Sequence, residues 1–140
     1  MTETVVHRWR REPRSVPRAR AELRSTLTTW QLSALEDAAT LLLSELVTNA
    51  VRHAVAPGDR HLETRFTRLP AGIRIEVHDA CPAHPQAQPL VPEPTQDAGR
   101  GLFIVSSLAD RWAVATREGV GKRVWAELSL PAEPGGRRVR

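Results

Sequence analysis

Apolar residues recur along this chain with two different periods, and the switches between them mark out its elements. Val16, Ala19, Leu23, Leu27 and Trp30 fall at three- and four-residue steps, which predicts an amphipathic helix from about Pro17 with Ser15 or Val16 near its cap. Residues 31–34 make a short connection, with Ser33 the candidate cap of a second helix. From Leu35 to Ala54 the apolar positions Leu35, Ala38, Ala39, Leu42, Leu43, Leu46, Val47, Ala50 and Val51 form a stripe broad enough for a central buried helix. Pro57-Gly58-Asp59 ends it. The period then drops to two: Leu62, Thr64 and Phe66 alternate with charged residues, as do Ile73, Ile75 and Val77, with Pro70-Ala71-Gly72 between them. This predicts a β-hairpin with one buried face. Glu3 to Arg10 reads as an edge strand, broken by Pro13 and Pro17.

Residues 81–98 carry Pro82, Pro85, Pro89, Pro92 and Pro94 without periodicity, which predicts a long loop of the kind that is usually functional. Leu102, Val105, Leu108 and Ala109 predict a short helix over 101–109. Two strands follow, 111–117 with Trp112 and Val114 facing one way and 123–130 with Val124, Ala126, Leu128 and Leu130, joined by the turn Glu118-Gly119-Val120-Gly121. Trp112 and Trp125 read as core aromatics. There is no internal repeat, and residues 133–140 read as a frayed tail.

Composition narrows the class. The chain has 140 residues, enough for one domain that buries about 68–70% of its unfolded surface. It is 41% hydrophobic and 26% charged, ordinary for a soluble protein. No apolar run approaches the roughly 20 residues that span a bilayer, and the polar, basic stretch Met1 to Arg11 is not a secretory signal. A cytoplasmic protein with no membrane contact is expected. Cys81 is the only cysteine, so no intrachain disulfide can form. The net charge is +4 and the pI about 10.8, with Lys122 the sole lysine. Arginine usage, rather than a charged surface, raises the pI. The arginines gather at the two ends with Trp9 the only aromatic among them, so no stacking platform for nucleic acid is formed and no direct nucleic-acid contact is expected.

Glu45, Asn49 and His53 stand at i, i+4 and i+8 in the second helix, which stacks a carboxylate, a carboxamide and an imidazole along one face. Alone, such a stripe is most simply a solvated helix face. It is also what a magnesium-nucleotide site uses, the carboxylate as base and the carboxamide as a neutral oxygen ligand. Asp79 ends the second strand of the hairpin and suits recognition of an amine. Gly99-Arg100-Gly101-Leu102 lies where the proline-rich loop enters a helix, so backbone N–H groups and the helix dipole can face phosphates. Gly121-Lys122 adds a cationic turn. His78, Cys81 and His84 with Asp79 have the residue types of a zinc cluster. However, His78 and Asp79 point to opposite faces of a strand, and the Cys81/His84 pair lacks a partner pair.

The order of these motifs, together with the wording Leu43-Ser44-Glu45-Leu46-Val47-Thr48-Asn49-Ala50-Val51-Arg52-His53-Ala54, Gly99-Arg100-Gly101-Leu102 and Gly121-Lys122-Arg123-Val124-Trp125, resembles the GHKL ATPase superfamily with its Bergerat fold. Within it the chain resembles the anti-sigma-factor serine/threonine kinases of high-GC bacteria. The resemblance implies an α+β two-layer sandwich, with a mixed, mostly antiparallel sheet of about five strands covered on one face by three helices. It divides the chain into a basic N-terminal segment (1–14), an ATP-binding domain (15–131) and a flexible basic tail (132–140). It further implies ATP and Mg2+ as cofactors, and a sigma factor and a STAS-type anti-anti-sigma protein as partners; relatives are often homodimers. Residue by residue, it makes Glu45 the catalytic base and Asn49 the magnesium ligand, and sets His53 near the phosphates. Asp79 becomes the acceptor for the adenine amino group. Gly99 and Gly101 lie beside the phosphate tail with Leu102, and Arg100 and Lys122 neutralise charge. Two positions depart from the pattern. Cys81 stands where the family has glycine on the adenine floor, and Arg123 is matched to a position where threonine is common. With no phosphoacceptor-histidine helix ahead of the ATPase unit in this sequence, a complete sensor histidine kinase is not expected.

Overall fold

The computed structural model describes residues 2–52, 61–79, 105, 107–116 and 122–131. Within them the chain forms β1 (Thr4–Arg10), α1 (Ser15–Thr29), a 3-10 turn (Ser33–Leu35), α2 (Glu36–Arg52), β2 (His61–Leu69), β3 (Gly72–Asp79), β4 (Arg111–Thr116) and β5 (Lys122–Ser129). The strands make one sheet in the order β1-β2-β3-β5-β4. Every pairing is antiparallel, so the described sheet is not the mixed one expected. Two full helices are described. Of the third expected helix, Val105, Ser107 and Leu108 are helical, Ala109 N–H closes a turn onto the Val105 carbonyl at 2.9 Å, and the rest of 101–109 lies outside the described residues. The architecture is an α+β sandwich.

The period-two pattern decides which sheet face is buried. Leu62, Phe66, Ile73, Ile75, Val77, Ala126 and Leu128 share one face with Val5 and Trp9 of β1, and all are buried or packed on the core. Against this face lie Leu23 and Leu27 of α1 and Leu42, Leu43, Leu46 and Val47 of α2, each at most 2% exposed. Trp9 Nε1 donates to Thr64 Oγ1 at 2.9 Å, which satisfies the polar tips of two residues on the inner face. The turn between β2 and β3 is tight, Leu69 pairing directly with Gly72. A Cβ on Gly72 would stand 1.9 Å from the Leu128 carbonyl oxygen, so only glycine lets β3 and β5 approach there.

Helix ends differ from expectation in an instructive way. α1 starts at Ser15 rather than near Pro17, and Ser15 does not cap it: its hydroxyl donates to the Arg10 carbonyl at 2.6 Å and ties the helix start to the end of β1. Pro17 is tolerated because the first-turn N–H groups have no helical partner anyway. At the other end Gln31 takes φ 60°. Leu32 N–H reaches the Leu27 carbonyl at 2.8 Å and Gln31 N–H the Thr28 carbonyl at 3.1 Å, the paired bonds of a Schellman stop with glutamine in the left-handed position. Ser33 does not cap α2, because the 3-10 turn intervenes. Glu36 and Asp37 instead place carboxylates in the first turn, where the helix dipole favours them.

The outer face of the sheet is charged rather than apolar. In register across β2, β3 and β5 stand Glu63, His78 and Arg123; then Arg65, Glu76 and Trp125; then Thr67, Arg74 and Glu127. Arg74 pairs with Glu76 at 3.4 Å and Glu127 at 3.5 Å, and Arg65 pairs with Glu63. His78 Nε2 lies 2.7 Å from Glu76, and that hydrogen bond, opposed by burial and aided by the charges of His78, Arg74 and Arg123, holds the Glu76 carboxyl below the usual range. Trp125 is not a core aromatic: it lies half-buried on this outer face, with the Arg74 guanidinium 4.2 Å and that of Arg111 5.8 Å from its ring centroid. Trp112 does pack on the core. No helix among the described residues is long and apolar enough to cross a membrane.

Candidate functional site

Glu45 and Asn49 sit on α2, a helix whose buried side is Leu42, Leu43, Leu46, Val47 and Ala50. Both are half-buried. At 100° per residue Asn49 falls beside Leu42 at one margin of the apolar stripe, about 140° around the helix from Ser44. The Ser44 margin belongs to α1: Arg20 Nη1 lies 3.4 Å from Ser44 Oγ, and Ser44 itself donates back to the Thr40 carbonyl at 2.8 Å. Glu45 and Asn49 therefore line the side of α2 turned away from α1. Among the described residues neither side chain is engaged in a hydrogen bond or ion pair, in contrast to Thr40 and Ser44 on the same helix. Two half-buried polar groups with donor and acceptor capacity to spare are what a ligand site requires.

Asp79 ends β3 on the helix-side face, in phase with Ile73, Ile75 and Val77, and is 1% exposed. α2 packs on β3, whose helix-side face carries Asp79. His78 faces the other way, in the row of Glu63 and Arg123, which separates it from Asp79 as strand alternation requires; Cys81 and His84 of the zinc-like grouping lie outside the described residues.

A partner of Asp79 that sequence reasoning missed is Arg11. Its Nη2 forms an ion pair with Asp79 Oδ1 and lies 3.5 Å from the His61 carbonyl, and the two side chains are only 4% and 1% exposed. Removing either partner of such a buried pair typically costs about 3–5 kcal/mol. Arg11 had been counted with Arg8 and Arg10 as part of a basic terminus, yet those two are exposed on the outer face. The signal was available in the parity of β1: Val5, His7 and Trp9 point inward, and Arg11 continues that phase.

Lys122 opens β5 with its backbone opposite Asp79 in the β3–β5 pairing. Arg123 is opposite His78, on the outer face, so the departure from threonine noted there falls on the side of the sheet away from Asp79. His53, Cys81, Gly99, Arg100, Gly101 and Leu102 lie outside the described residues.

One antiparallel five-stranded sheet packed against helices is the α+β architecture of the GHKL ATPases. The family model for the histidine kinase-like ATPase domain matches residues 10–128. The chain belongs to that family, and ATP is the nucleotide such domains bind. A comparison with curated proteins gives no match.

Proposed function

We propose that the protein is an ATP- and magnesium-dependent serine kinase of the anti-sigma-factor type, which regulates transcription by phosphorylating a STAS-type anti-anti-sigma partner and sequestering a sigma factor in the cytoplasm. The observation that carries this reading is the Glu45–Asn49 pair, half-buried and uncommitted on the margin of α2, over the sheet face that bears Asp79. The described residues fit the cofactors. Asp79, paired with Arg11, is an acceptor for the adenine amino group. Asn49 offers a neutral amide oxygen, the hard donor magnesium prefers. Glu45 takes the proton from the acceptor serine hydroxyl. Bound ATP supplies the phosphoryl group. By resemblance the backbone at Gly99 and Gly101, with His53, Arg100 and Lys122, attends the phosphates.

The test is incubation with labelled ATP and magnesium beside STAS-type proteins of the same genome. Phosphoserine on one of them, lost in Glu45→Gln while ATP still binds, is the expected result. A second reading, a non-catalytic ATP-responsive binding module, draws on Cys81 in place of the family's glycine. It predicts ATP binding with no transfer to any candidate, and partner affinity that changes with nucleotide. That outcome would overturn the kinase assignment.

A further inference from the structure

We propose that the free edge of β1 is a docking site for an extended acidic segment of another protein, which adds to the sheet as a further strand. β1 stands at one end of the sheet and, among the described residues, pairs with β2 alone. Arg68 N–H donates to the Glu3 carbonyl at 2.9 Å, which makes Glu3 and Arg68 a hydrogen-bonded pair of the antiparallel ladder. Alternation then turns the backbone of Val5, His7 and Trp9 toward β2 and that of Thr4, Val6, Arg8 and Arg10 away from it. The Arg10 carbonyl agrees with this phase, since it accepts from Glu12 N–H at 2.9 Å and from the Ser15 hydroxyl at 2.6 Å, both beyond the strand. Among the described residues nothing bonds to the outward backbone of Thr4, Val6 or Arg8. A ledge of that kind is a template for strand addition.

The strand is held ready for a partner. Its register with β2 runs without a bulge from Thr4↔Thr67 to Arg10↔His61. On the inner side the His7 ring stacks on Trp9 with centroids 5.5 Å apart, and His7 Nε2 lies 3.4 Å from Glu22 of α1. A strand already fixed loses little freedom when it is paired. Charge names the partner. On the outer face Val6 is 50% exposed, and Arg8 and Arg10 beside it are exposed too. Because Glu22 reaches His7, the row Arg14, Arg18, Glu22, spaced at four residues, lies on the β1 side of α1 and adds two more exposed arginines. The nearby carboxylates are already engaged: Glu63, opposite Arg8, pairs with Arg65, and Glu12 lies 3.6 Å from Arg14. Arg8, Arg10 and Arg18 have no ion-pair partner among the described residues. Such an edge repels a basic strand and is complemented by one that sets acidic residues two apart, opposite Arg8 and Arg10, with an apolar residue opposite Val6. A nucleic acid answers the charges but carries no peptide backbone to pair with the ledge.

Fluorescence anisotropy on the full chain tests this with a labelled, end-capped peptide reading aspartate-threonine-aspartate-threonine-valine, the order that meets Arg10, Arg8 and Val6 in an antiparallel pairing. It is expected to bind about tenfold or more tightly than the same peptide with lysine for aspartate, and less tightly as salt rises. Methylating the backbone nitrogens of its aspartates and valine, which face β1, should weaken binding by about tenfold or more. Val6→Pro removes an outward N–H while leaving the bonds of Val5 and His7 to β2 in place, and should weaken the unmodified peptide by a similar factor. Arg8→Gln combined with Arg10→Gln should abolish the preference for aspartate over lysine. If Val6→Pro does not fold by circular dichroism, the methylated peptide on the wild type decides. No binding, equal binding of the aspartate and lysine peptides, or undiminished binding of the methylated one would overturn the proposal. So would displacement of the peptide by a single-stranded oligonucleotide at lower concentration than by unlabelled peptide, which would make the surface a nucleic-acid contact. A wild-type dimer in sedimentation that Val6→Pro dissociates would overturn it as well, by showing that a second copy fills the edge.

Discussion

Replacing Asn49 by alanine separates the ligand site from the scaffold that holds it. Asn49 lies in the last turn of α2, half-buried, with no hydrogen bond to another described residue. Its removal therefore strands no buried donor or acceptor, and the usual penalty for doing so, about 1–3 kcal/mol, does not arise. Alanine is also the better helix former, by up to about 0.7 kcal/mol. The free protein should thus be unchanged or more stable by about 0.5 kcal/mol, a rise in Tm of about 1–2 °C for a chain of this size. On the proposed role of Asn49 as a magnesium ligand, the substitution should weaken magnesium-ATP binding by about tenfold or more, with the loss shrinking when magnesium is withheld. Urea denaturation of the ligand-free protein and calorimetric titration of the same sample measure the two effects side by side. A variant destabilised by more than about 1 kcal/mol would show that Asn49 is a scaffold residue. One that binds magnesium-ATP like the wild type would remove it from the site.

Other expectations follow from particular contacts. Gly72→Ala drives a methyl into the Leu128 carbonyl and should destabilise the protein by about 2 kcal/mol or more in chemical denaturation; an effect under about 0.5 kcal/mol would mean that β3 and β5 separate easily. Gln31→Gly relieves a left-handed residue at the end of α1 and should stabilise by about 0.5–1 kcal/mol, less what glycine adds to the freedom of the unfolded chain. Glu76 has its folded pKa lowered from 4.5, chiefly by the His78 hydrogen bond. The unfolded chain then binds the proton first as pH falls, so the contribution of Glu76 is complete above pH 4.5 and is lost as pH drops through the lowered value. Thermal melts from pH 6 to pH 3 should show a steeper acid loss in the wild type than in Glu76→Gln, and parallel curves would refute this.

What was legible in the sequence was whatever a local period expresses. The stripe Leu42, Leu43, Leu46, Val47 could only be a buried helix, and Ile73, Ile75, Val77 with Leu62, Phe66 could only be a half-buried hairpin; both are as described. Asp79 was found because strand alternation carries it inward at the end of that same run. Arg11 was not, because its partner lies 68 residues away and its neighbours Arg8 and Arg10 disguise it as one charge of a solvated cluster. Trp125 misled for a related reason. A tryptophan suggests core, but register sets it on the outer face, where Arg74 and Arg111 cover its ring. Ser33 had the composition of a cap, and only the intervening 3-10 turn moved the helix start to Glu36. Local pattern fixes the inward or outward phase of a strand residue, while the identity of its partner is a tertiary fact.

The central claim is that nucleotide occupies the space between α2 and the inner face of β3. An amide and side-chain NMR titration of labelled protein with a magnesium complex of a non-hydrolysable ATP analogue tests it most directly. Saturable shifts of the Asn49 carboxamide and of the backbone at Val77 and Asp79, with the indole of Trp125 on the outer face unmoved, are the predicted result. Shifts centred on Trp125 and Glu76, with Asn49 and Asp79 silent, would contradict it.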